Sequence, residues 1–134
     1  MPSEIKANKR LVRQYFKAIE GGDLSTLDHI VADDYEDRVP GRDSGRQPLQ
    51  DSVRALRAAF PDLRSTVIHI VAEGDLVAVY NRVVGTHLGP MGEMKATGNR
   101  VDFTAFQLFR VNGGILAEHW EIADEATLMR QLGA

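Results

Sequence analysis

Two residues that can exchange protons lie close together near the carboxyl end of the chain. Residues 115–123, ILAEHWEIA, predict a strand, in which side chains alternate between two faces. The alternation groups Ala117, His119 and Glu121 on one face and Leu116 and Glu118 on the other. A carboxylate in apolar surroundings can remove a proton next to a carbonyl group, while a nearby donor stabilises the enolate oxygen. This segment is therefore a candidate for acid–base chemistry.

A second predicted strand, residues 101–111, carries a candidate partner for Glu121. Alternation there puts Phe103, Ala105, Gln107 and Phe109 on one face, so Gln107 can meet Glu121 across the strands. A neutral amide can donate a hydrogen bond to an oxyanion but cannot supply a proton. Gln107 is therefore predicted to act on a carbonyl oxygen and not as a base.

The catalytic hypothesis assigns one role to each residue. Glu121 is the general base, Gln107 or Tyr80 polarises a carbonyl, and His119 or His87 assists. The residues predicted to contact a substrate are Asp37, Tyr80, His87, Ala105, Phe103 and Trp120.

Each of these residues also has a structural interpretation. Glu121 can form an ion pair with Arg82 or Arg110 across the sheet, and His119 can be a hydrogen-bonded sheet residue without a catalytic role. His87 lies in a glycine-containing turn, where it can cap a strand end. Trp120 can belong to the core or to a dimer interface.

Several kinds of chemistry lack their usual residues. The chain has no cysteine, no GxSxG serine, no P-loop and no dinucleotide-binding glycine motif. Its four histidines show no HExxH or HxH spacing, so we predict no metal site and no cofactor. The remaining functions are acid–base chemistry on a small organic molecule and binding without chemistry.

Composition predicts one globular domain spanning residues 1–134. Hydrophobic residues make up 43% and charged residues 26% of the chain. The net charge of −3 is spread along the sequence, so we expect no nucleic-acid partner. Without an apolar run long enough for a signal peptide or a membrane span, we expect a cytoplasmic protein that does not bind membranes.

Periodicity predicts helices followed by strands. Helices are expected over residues 4–20, over a shorter stretch from residue 24, over 48–60 and over 124–132. Strands are expected near residue 35 and over 66–72, 76–84, 101–111 and 115–123, with hairpin turns at 73–75 and 112–114. The plan is α+β, with helices closing one face of a curved antiparallel sheet around a pocket.

Four segments of the sequence resemble the SnoaL-like polyketide cyclase family. They are VRQYFKAIEGGDLSTLDHIVADDY at 12–35, GTHLG at 85–89, TGNRVDFTAFQLFRVNGGILAEHWEIAD at 97–124 and LMRQLG at 128–133. The resemblance covers nearly the whole chain. It implies the cone-shaped fold of nuclear transport factor 2 and ketosteroid isomerase, a cofactor-free pocket within the cone and a homodimer packed through the sheet.

The resemblance also implies roles for individual residues. Characterised cyclases of the family close the last ring of an anthracycline precursor in an aldol reaction, with an aspartate as acid and base. Alignment through LMRQLG places that aspartate at Glu121, the pocket histidine at Gln107, an asparagine at Asp37 and a glutamine at Ala105. These differences imply that a ligand is held differently from the tetracyclic ketones.

Two functions are therefore expected from the sequence. The first is a cofactor-independent cyclase, isomerase or hydrolase that acts on a small carbonyl or epoxide compound. The alternative is a non-catalytic module that binds a small molecule. A homodimer is expected in either case, because a sheet face carrying Trp120 and aromatic neighbours is poorly suited to water.

Overall fold

The computed structural model describes residues 2–133, so the two end residues of the predicted domain lie outside the described part. Within it the chain forms four helices and five strands. The helices are α1 (Pro2–Gly21), α2 (Leu24–Ile30), α3 (Arg46–Ala59) and α4 (Glu125–Gln131). The strands are β1 (Val31–Asp37), β2 (Arg64–Glu73), β3 (Leu76–Thr86), β4 (Arg100–Asn112) and β5 (Ile115–Ala123). Every predicted element is present, and the α+β class is confirmed.

The five strands form one sheet in the order β1-β5-β4-β3-β2. The pairs β2–β3, β3–β4 and β4–β5 are antiparallel, as predicted from the hairpin turns. Strand β1 instead pairs in parallel with β5, so the prediction of a purely antiparallel sheet was wrong at this edge. Periodicity shows which side chains share a face but does not identify the neighbour of a strand separated by a long connection.

Glycines in the left-handed region make the two hairpin turns. Gly113 and Gly114 connect β4 to β5 with φ of 59° and 80°, and Gly74 lies in the turn between β2 and β3 with φ of 59°. A residue with a side chain is strained at such angles, which explains the choice of glycine. The turn at 113–114 sets the register that brings Gln107 opposite Glu121.

A bulge changes the predicted faces of β5. The register shifts between Arg110, which pairs with Glu118, and Val111, which pairs with Leu116. Ala117 therefore has no partner residue in β4. Leu116 is fully buried in the main core, and not on the outer face with Glu118 as alternation predicted. A bulge inserts one residue into the pleat and inverts the alternation on one side of it. His119 and Glu121 follow the bulge in the sequence and pair in regular register with Phe109 and Gln107.

The helices pack on one face of the sheet because each has an apolar stripe. Val12, Tyr15 and Phe16 of α1 are buried, and the Tyr15 ring meets Phe109 of β4 edge-on with 4.9 Å between centroids. Burial of a side chain of this size contributes about 1.5–3 kcal/mol to folding. A smaller cluster, which includes Phe60 and Leu132, closes the other end of the molecule.

Side chains of two aspartates cap the short helices. Asp23 accepts a hydrogen bond from the backbone N–H of Thr26 at the start of α2, and Asp124 accepts one from Thr127 at the start of α4. Between residues 2 and 133, no helix combines the length and the apolar character that a membrane crossing requires.

Candidate active site

A cavity of about 260 Å³ lies between the helices and the sheet. Most of its wall is apolar, and polar groups occupy a smaller part. The apolar lining residues are Phe16, Ile19, Leu49, Val53, Leu56, Leu63, Val83, Phe103 and Ala123. The polar lining residues are Tyr15, Arg42, Ser52, Ser65, Asn81, Gln107 and Glu121. An apolar chamber with a few converging polar groups is the usual form of a small-molecule site.

Glu121 and Gln107 occupy directly opposite positions on β5 and β4, and both side chains reach the cavity. The antiparallel register places their Cβ atoms on the same face. This pairing follows from the alternation and the hairpin turn together. The carboxylate of Glu121 is mostly buried, since its side chain is 18% exposed.

Arg42 is the ion-pair partner of Glu121. One guanidinium nitrogen lies 3.2 Å from Glu121 Oε1 and 3.7 Å from Asp37 Oδ2. Burial acts to lower the pKa of Arg42, but the two carboxylates outweigh it and raise that pKa, so Arg42 stays cationic. The predicted alternative, an ion pair of Glu121 with Arg82 or Arg110, was wrong.

Those two arginines pair on the opposite face of the sheet. Arg82 binds the carboxylate of Asp102, and Arg110 donates hydrogen bonds to Asp75 and Glu118. The alternation that turns Glu121 inward turns Glu118 outward, and the same holds for Asn81 and Arg82. Glu121 therefore has no access to either guanidinium group.

His119 is fully buried beside the cavity and is bonded on both ring nitrogens. Nδ1 lies 3.3 Å from Asp37 Oδ1, and Nε2 lies 2.9 Å from Gln107 Oε1. The carboxylate of Glu121 is 4.0 Å from Nε2. The ring also lies nearly parallel to Tyr35, with 6.2 Å between centroids. The carboxylate and imidazole therefore lie close enough for a proton to pass between them after a small movement.

Asp37 is held as a carboxylate. Burial acts to raise its pKa, but the hydrogen bond and charge of His119, the backbone N–H of Val39 and the charge of Arg42 together lower it. Its place beside His119 depends on the parallel pairing of β1 with β5, which puts the two residues in register.

Polar side chains of three strands and the hydroxyl of Tyr15 complete the inner face. Gln107 Nε2 donates to Asn81 Oδ1 at 3.0 Å, and Asn81 Nδ2 donates to Ser65 Oγ at 3.1 Å. Burial is the largest influence on the pKa of Tyr15 and raises it, and the nearby carboxylate of Glu121 raises it further. The Tyr15 hydroxyl is therefore neutral, and a neutral hydroxyl can donate a hydrogen bond.

Tyr15 and Arg42 were missed from the sequence for different reasons. Tyr15 belongs to the apolar stripe of α1, where an aromatic residue is more often part of the core than of a site. Arg42 lies in the loop between β1 and α3, whose path no periodicity predicts. The polar chain of Asn81 and Ser65 gave a weak signal, namely polar residues on the inner side of strands that are otherwise apolar there.

Four of the predicted contact residues lie away from the cavity lining. Tyr80 packs against Phe106 on the outer face of the sheet with its ring tilted, and Trp120 lies on that face near Arg110, whose guanidinium is 6.0 Å from the ring centre. His87 is buried at the end of β3, where Nδ1 accepts a hydrogen bond from the N–H of Thr97. Ala105 is buried on the inner side.

The other predicted contact residues are closer. Phe103 lines the cavity. Asp37 is not part of the lining, but it contacts Arg42, which lines the cavity, and His119. The structure thus brings together Glu121, Gln107, His119, Asp37 and Phe103, and it separates them from Tyr80, His87 and Trp120. Tyr80 and Trp120 are separated from the cavity because they lie on the outer face, and His87 because it follows the far end of β3.

Comparison with known proteins gives the family. The sequence profile of SnoaL-like polyketide cyclases matches residues 9–132. No curated protein sequence matches the chain. Among solved structures, TsrD from Streptomyces laurentii has a TM-score of 0.89 and 28% identity, with 96% of each chain covered.

Two further structures extend the comparison. IdmH from Streptomyces antibioticus, a proposed polyketide cyclase, has a TM-score of 0.84 and 31% identity, covering 95% of this chain and 99% of its own. AclR from Streptomyces galilaeus, a proposed hydroxylase, has a TM-score of 0.86 and 27% identity, covering 96% and 97%. By its sequence and by its fold, the chain belongs to the SnoaL-like polyketide cyclase family.

Proposed function

We propose that this protein is a cofactor-independent enzyme of the cyclase, isomerase or hydrolase type that uses acid–base catalysis on a small carbonyl or epoxide compound. The observation that carries the proposal is the position of Glu121. Its carboxylate lines a mostly apolar cavity and has the Arg42 cation at 3.2 Å and the His119 ring at 4.0 Å. A base, a proton carrier and a fixed positive charge therefore surround one small volume.

Each group has a role in removing a proton next to a carbonyl. Glu121 takes the proton, and the electrons of the broken C–H bond move into an enolate. The neutral hydroxyl of Tyr15 and the guanidinium of Arg42 both line the cavity and can stabilise the enolate oxygen. Gln107 has one amide hydrogen bonded to Asn81, so its second amide hydrogen is the one left for a ligand.

The size and lining of the cavity support a small amphipathic substrate. A volume of about 260 Å³ lies just below the usual range for drug-sized ligands, roughly 300–1,000 Å³, which favours molecules of one or two rings. The apolar lining suits the rings, and the polar end suits one carbonyl group. The relatives agree in part, since IdmH is a proposed polyketide cyclase and AclR a proposed hydroxylase.

One observation favours the second candidate, a module that binds a small molecule without chemistry. Arg42 neutralises Glu121 at the polar end of the cavity, and an ion pair of this kind can be purely structural. Catalysis requires that a ligand displace or share this contact. The two functions therefore differ in what happens to the ligand's acidic hydrogens once it is bound.

An exchange experiment separates them. In D2O, the wild type is expected to accelerate replacement of the α-hydrogens of 2-tetralone by deuterium, followed by proton NMR, while E121Q loses about 100-fold or more of that rate. The matched control is E118Q, which changes a glutamate on the outer face of the same strand and is expected to keep the wild-type rate. Binding of 2-tetralone without accelerated exchange would favour the binding module, and an E121Q rate equal to wild type would reject Glu121 as the base.

The proposal includes a homodimer that packs through the outer face of the sheet. Phe106 and Ile122 are 64% and 78% exposed there, and Val71 is 63% exposed. Apolar side chains this close together are a poor surface to leave in water. Light scattering after size exclusion is expected to give twice the chain mass for the wild type and the chain mass for F106E. A monomeric wild type contradicts this part.

The proposal also treats residues 1–134 as one domain that acts in the cytoplasm. Limited proteolysis that leaves the chain intact under native conditions supports the first point, and a stable fragment of half the length contradicts it.

A further inference from the structure

One polar residue from each of the five strands joins a single hydrogen-bonded chain across the sheet. In the order of the strands, its members are Asp37, His119, Gln107, Asn81 and Ser65. The four links measure 3.3, 2.9, 3.0 and 3.1 Å. The first four members are buried, and Ser65 is half-buried at the far edge. We call this set the cross-sheet chain.

As the atoms stand, the hydrogen bonds run outward from His119, to Asp37 on one side and to Gln107, Asn81 and Ser65 on the other. Asp37 is a carboxylate and only accepts, so His119 Nδ1 donates to it. At the other ring nitrogen, Nε2 faces the carbonyl oxygen of Gln107 and donates as well. Gln107 then donates to Asn81, and Asn81 donates to Ser65. In this direction both ring nitrogens carry hydrogen, and the ring is an imidazolium.

The same members can also bond in the opposite direction. If Nε2 carries no hydrogen, it accepts from the amide nitrogen of Gln107. The Gln107 oxygen then accepts from Asn81, and the Asn81 oxygen accepts from the hydroxyl of Ser65. This reversal is possible because each amide has a donor and an acceptor and a hydroxyl has both. Every buried group stays bonded in both directions, which matters because an unpaired buried polar group costs about 1–3 kcal/mol.

We propose that the cross-sheet chain is a relay with two directions, which keeps His119 hydrogen-bonded whether or not Nε2 carries a proton. Asn81 and Ser65 are positioning residues that act on His119 through Gln107. When Nε2 gives its proton to the Glu121 carboxylate, an N–H bond breaks and an O–H bond forms. The imidazolium and the carboxylate both become neutral. Only this transfer step rests on the proposed function; the two directions do not.

Charged and titratable groups face His119 from several elements. They are Tyr15 from α1, Asp37 and Tyr35 from β1, Arg42 from the loop before α3 and Glu121 from β5. Asp37 is the one that bonds Nδ1, so that nitrogen keeps its hydrogen in both directions. The proton that comes and goes is therefore the one on Nε2, which is the nitrogen nearer the cavity carboxylate.

The test is nitrogen-15 NMR of the His119 ring, which distinguishes ring nitrogens with and without hydrogen. In a pH series, wild type is expected to show both states of Nε2, with hydrogen at the acid end and without it at the basic end, while Nδ1 keeps its hydrogen. N81D removes the reverse direction, because a carboxylate at residue 81 only accepts from Gln107. In N81D, Nε2 is expected to keep its hydrogen over the whole range.

Milder variants guard against misfolding of N81D. S65A removes the last member of the chain and is expected to change the titration of His119, although Ser65 does not touch the ring, and S65T, which keeps a hydroxyl, is expected to restore it. S52A is the control, since Ser52 lines the same cavity outside the chain. Wild-type behaviour of His119 in S65A, or an Nε2 that keeps its hydrogen in wild type at every pH, overturns the proposal. Because the readout needs no turnover, it stands or falls separately from the exchange assay.

Discussion

The two faces of the sheet handle charge in opposite ways. On the inner face, polar side chains are few and buried, and each bonds another across the strands from Asp37 to Ser65. On the outer face, charged residues pair in water, as Arg82 does with Asp102, beside exposed apolar side chains such as Phe106. Removing one partner is therefore expected to cost little on the outer face, where water solvates the remaining charge, and much on the inner face, where that charge is left buried and unpaired.

Strand β5 carries one glutamate on each face of the sheet within four residues. Glu118 points outward, where its hydrogen bonds with Arg38 and Arg110 lower its pKa and keep it a fixed charge. Glu121 points into the cavity and contacts Arg42, with the His119 ring beside it. Because successive side chains of a strand point to opposite faces, one face can contact water or a partner while the other lines a cavity.

The largest effect on stability is expected when a buried charge is removed from the inner face. D37A leaves the hydrogen of His119 Nδ1 without its acceptor and Arg42 with one fewer carboxylate, so we expect about 3 kcal/mol lower free energy of unfolding in urea titrations. E36A, at the next residue but on the exposed side of β1, is expected to change stability little. Equal losses for the two variants contradict the difference between the faces.

A smaller effect is expected when one donor is removed from the cavity. Y15F keeps the packing of the ring but deletes the hydroxyl, so we expect the exchange rate of 2-tetralone to fall about 100-fold with nearly unchanged thermal stability. Y80F makes the same change on the outer face and is expected to leave the rate as it was. If both variants behave alike, the Tyr15 hydroxyl does not stabilise the enolate.

The stability contributed by the buried Asp37 is expected to depend on pH. The pKa of Asp37 is lower in the folded protein than in the unfolded chain, where it is about 3.9. Its stabilising contribution is therefore present above that value and is lost as pH falls through the folded pKa. As pH falls below the unfolded value, wild type is expected to lose stability more steeply than D37A, measured by urea unfolding at each pH. Parallel curves contradict the lowered pKa.

The smallest effect is expected on the outer face. R82A removes one member of an exposed ion pair with Asp102, whose attraction is screened by water and salt. We expect no measurable change in melting temperature, and the same for D102A. A clear loss in either variant, reversed in the double variant, indicates that the outer pair is more than a surface contact.

The sequence predicted the parts of the site that depend on local periodicity. Alternation and the glycine turn after Asn112 were enough to place Glu121 opposite Gln107, and the same pattern put His119 on their side. It failed at Ala117, because a bulge depends on how two strands fit together and not on either one alone.

The remaining parts depend on long-range contacts. Asp37 reaches His119 only because β1 pairs in parallel with β5, and Arg42 reaches Glu121 only through the path of residues 38–45. That path turns at Gly41 and Gly45, with φ of 84° and 112°. Glycine permits these angles without requiring them, so the sequence shows where the loop can turn but not where its arginine points.

The most direct test of the account is a crystal structure of the protein with 2-tetralone bound. We predict that the rings occupy the cavity between Phe16, Val53 and Phe103, with the carbonyl oxygen bonded to the Tyr15 hydroxyl or to Arg42 and an α-carbon facing Glu121. A ligand seated against Trp120 or Tyr80 on the outer face, with the cavity left open, contradicts the central claim that the inner face is the chemical one.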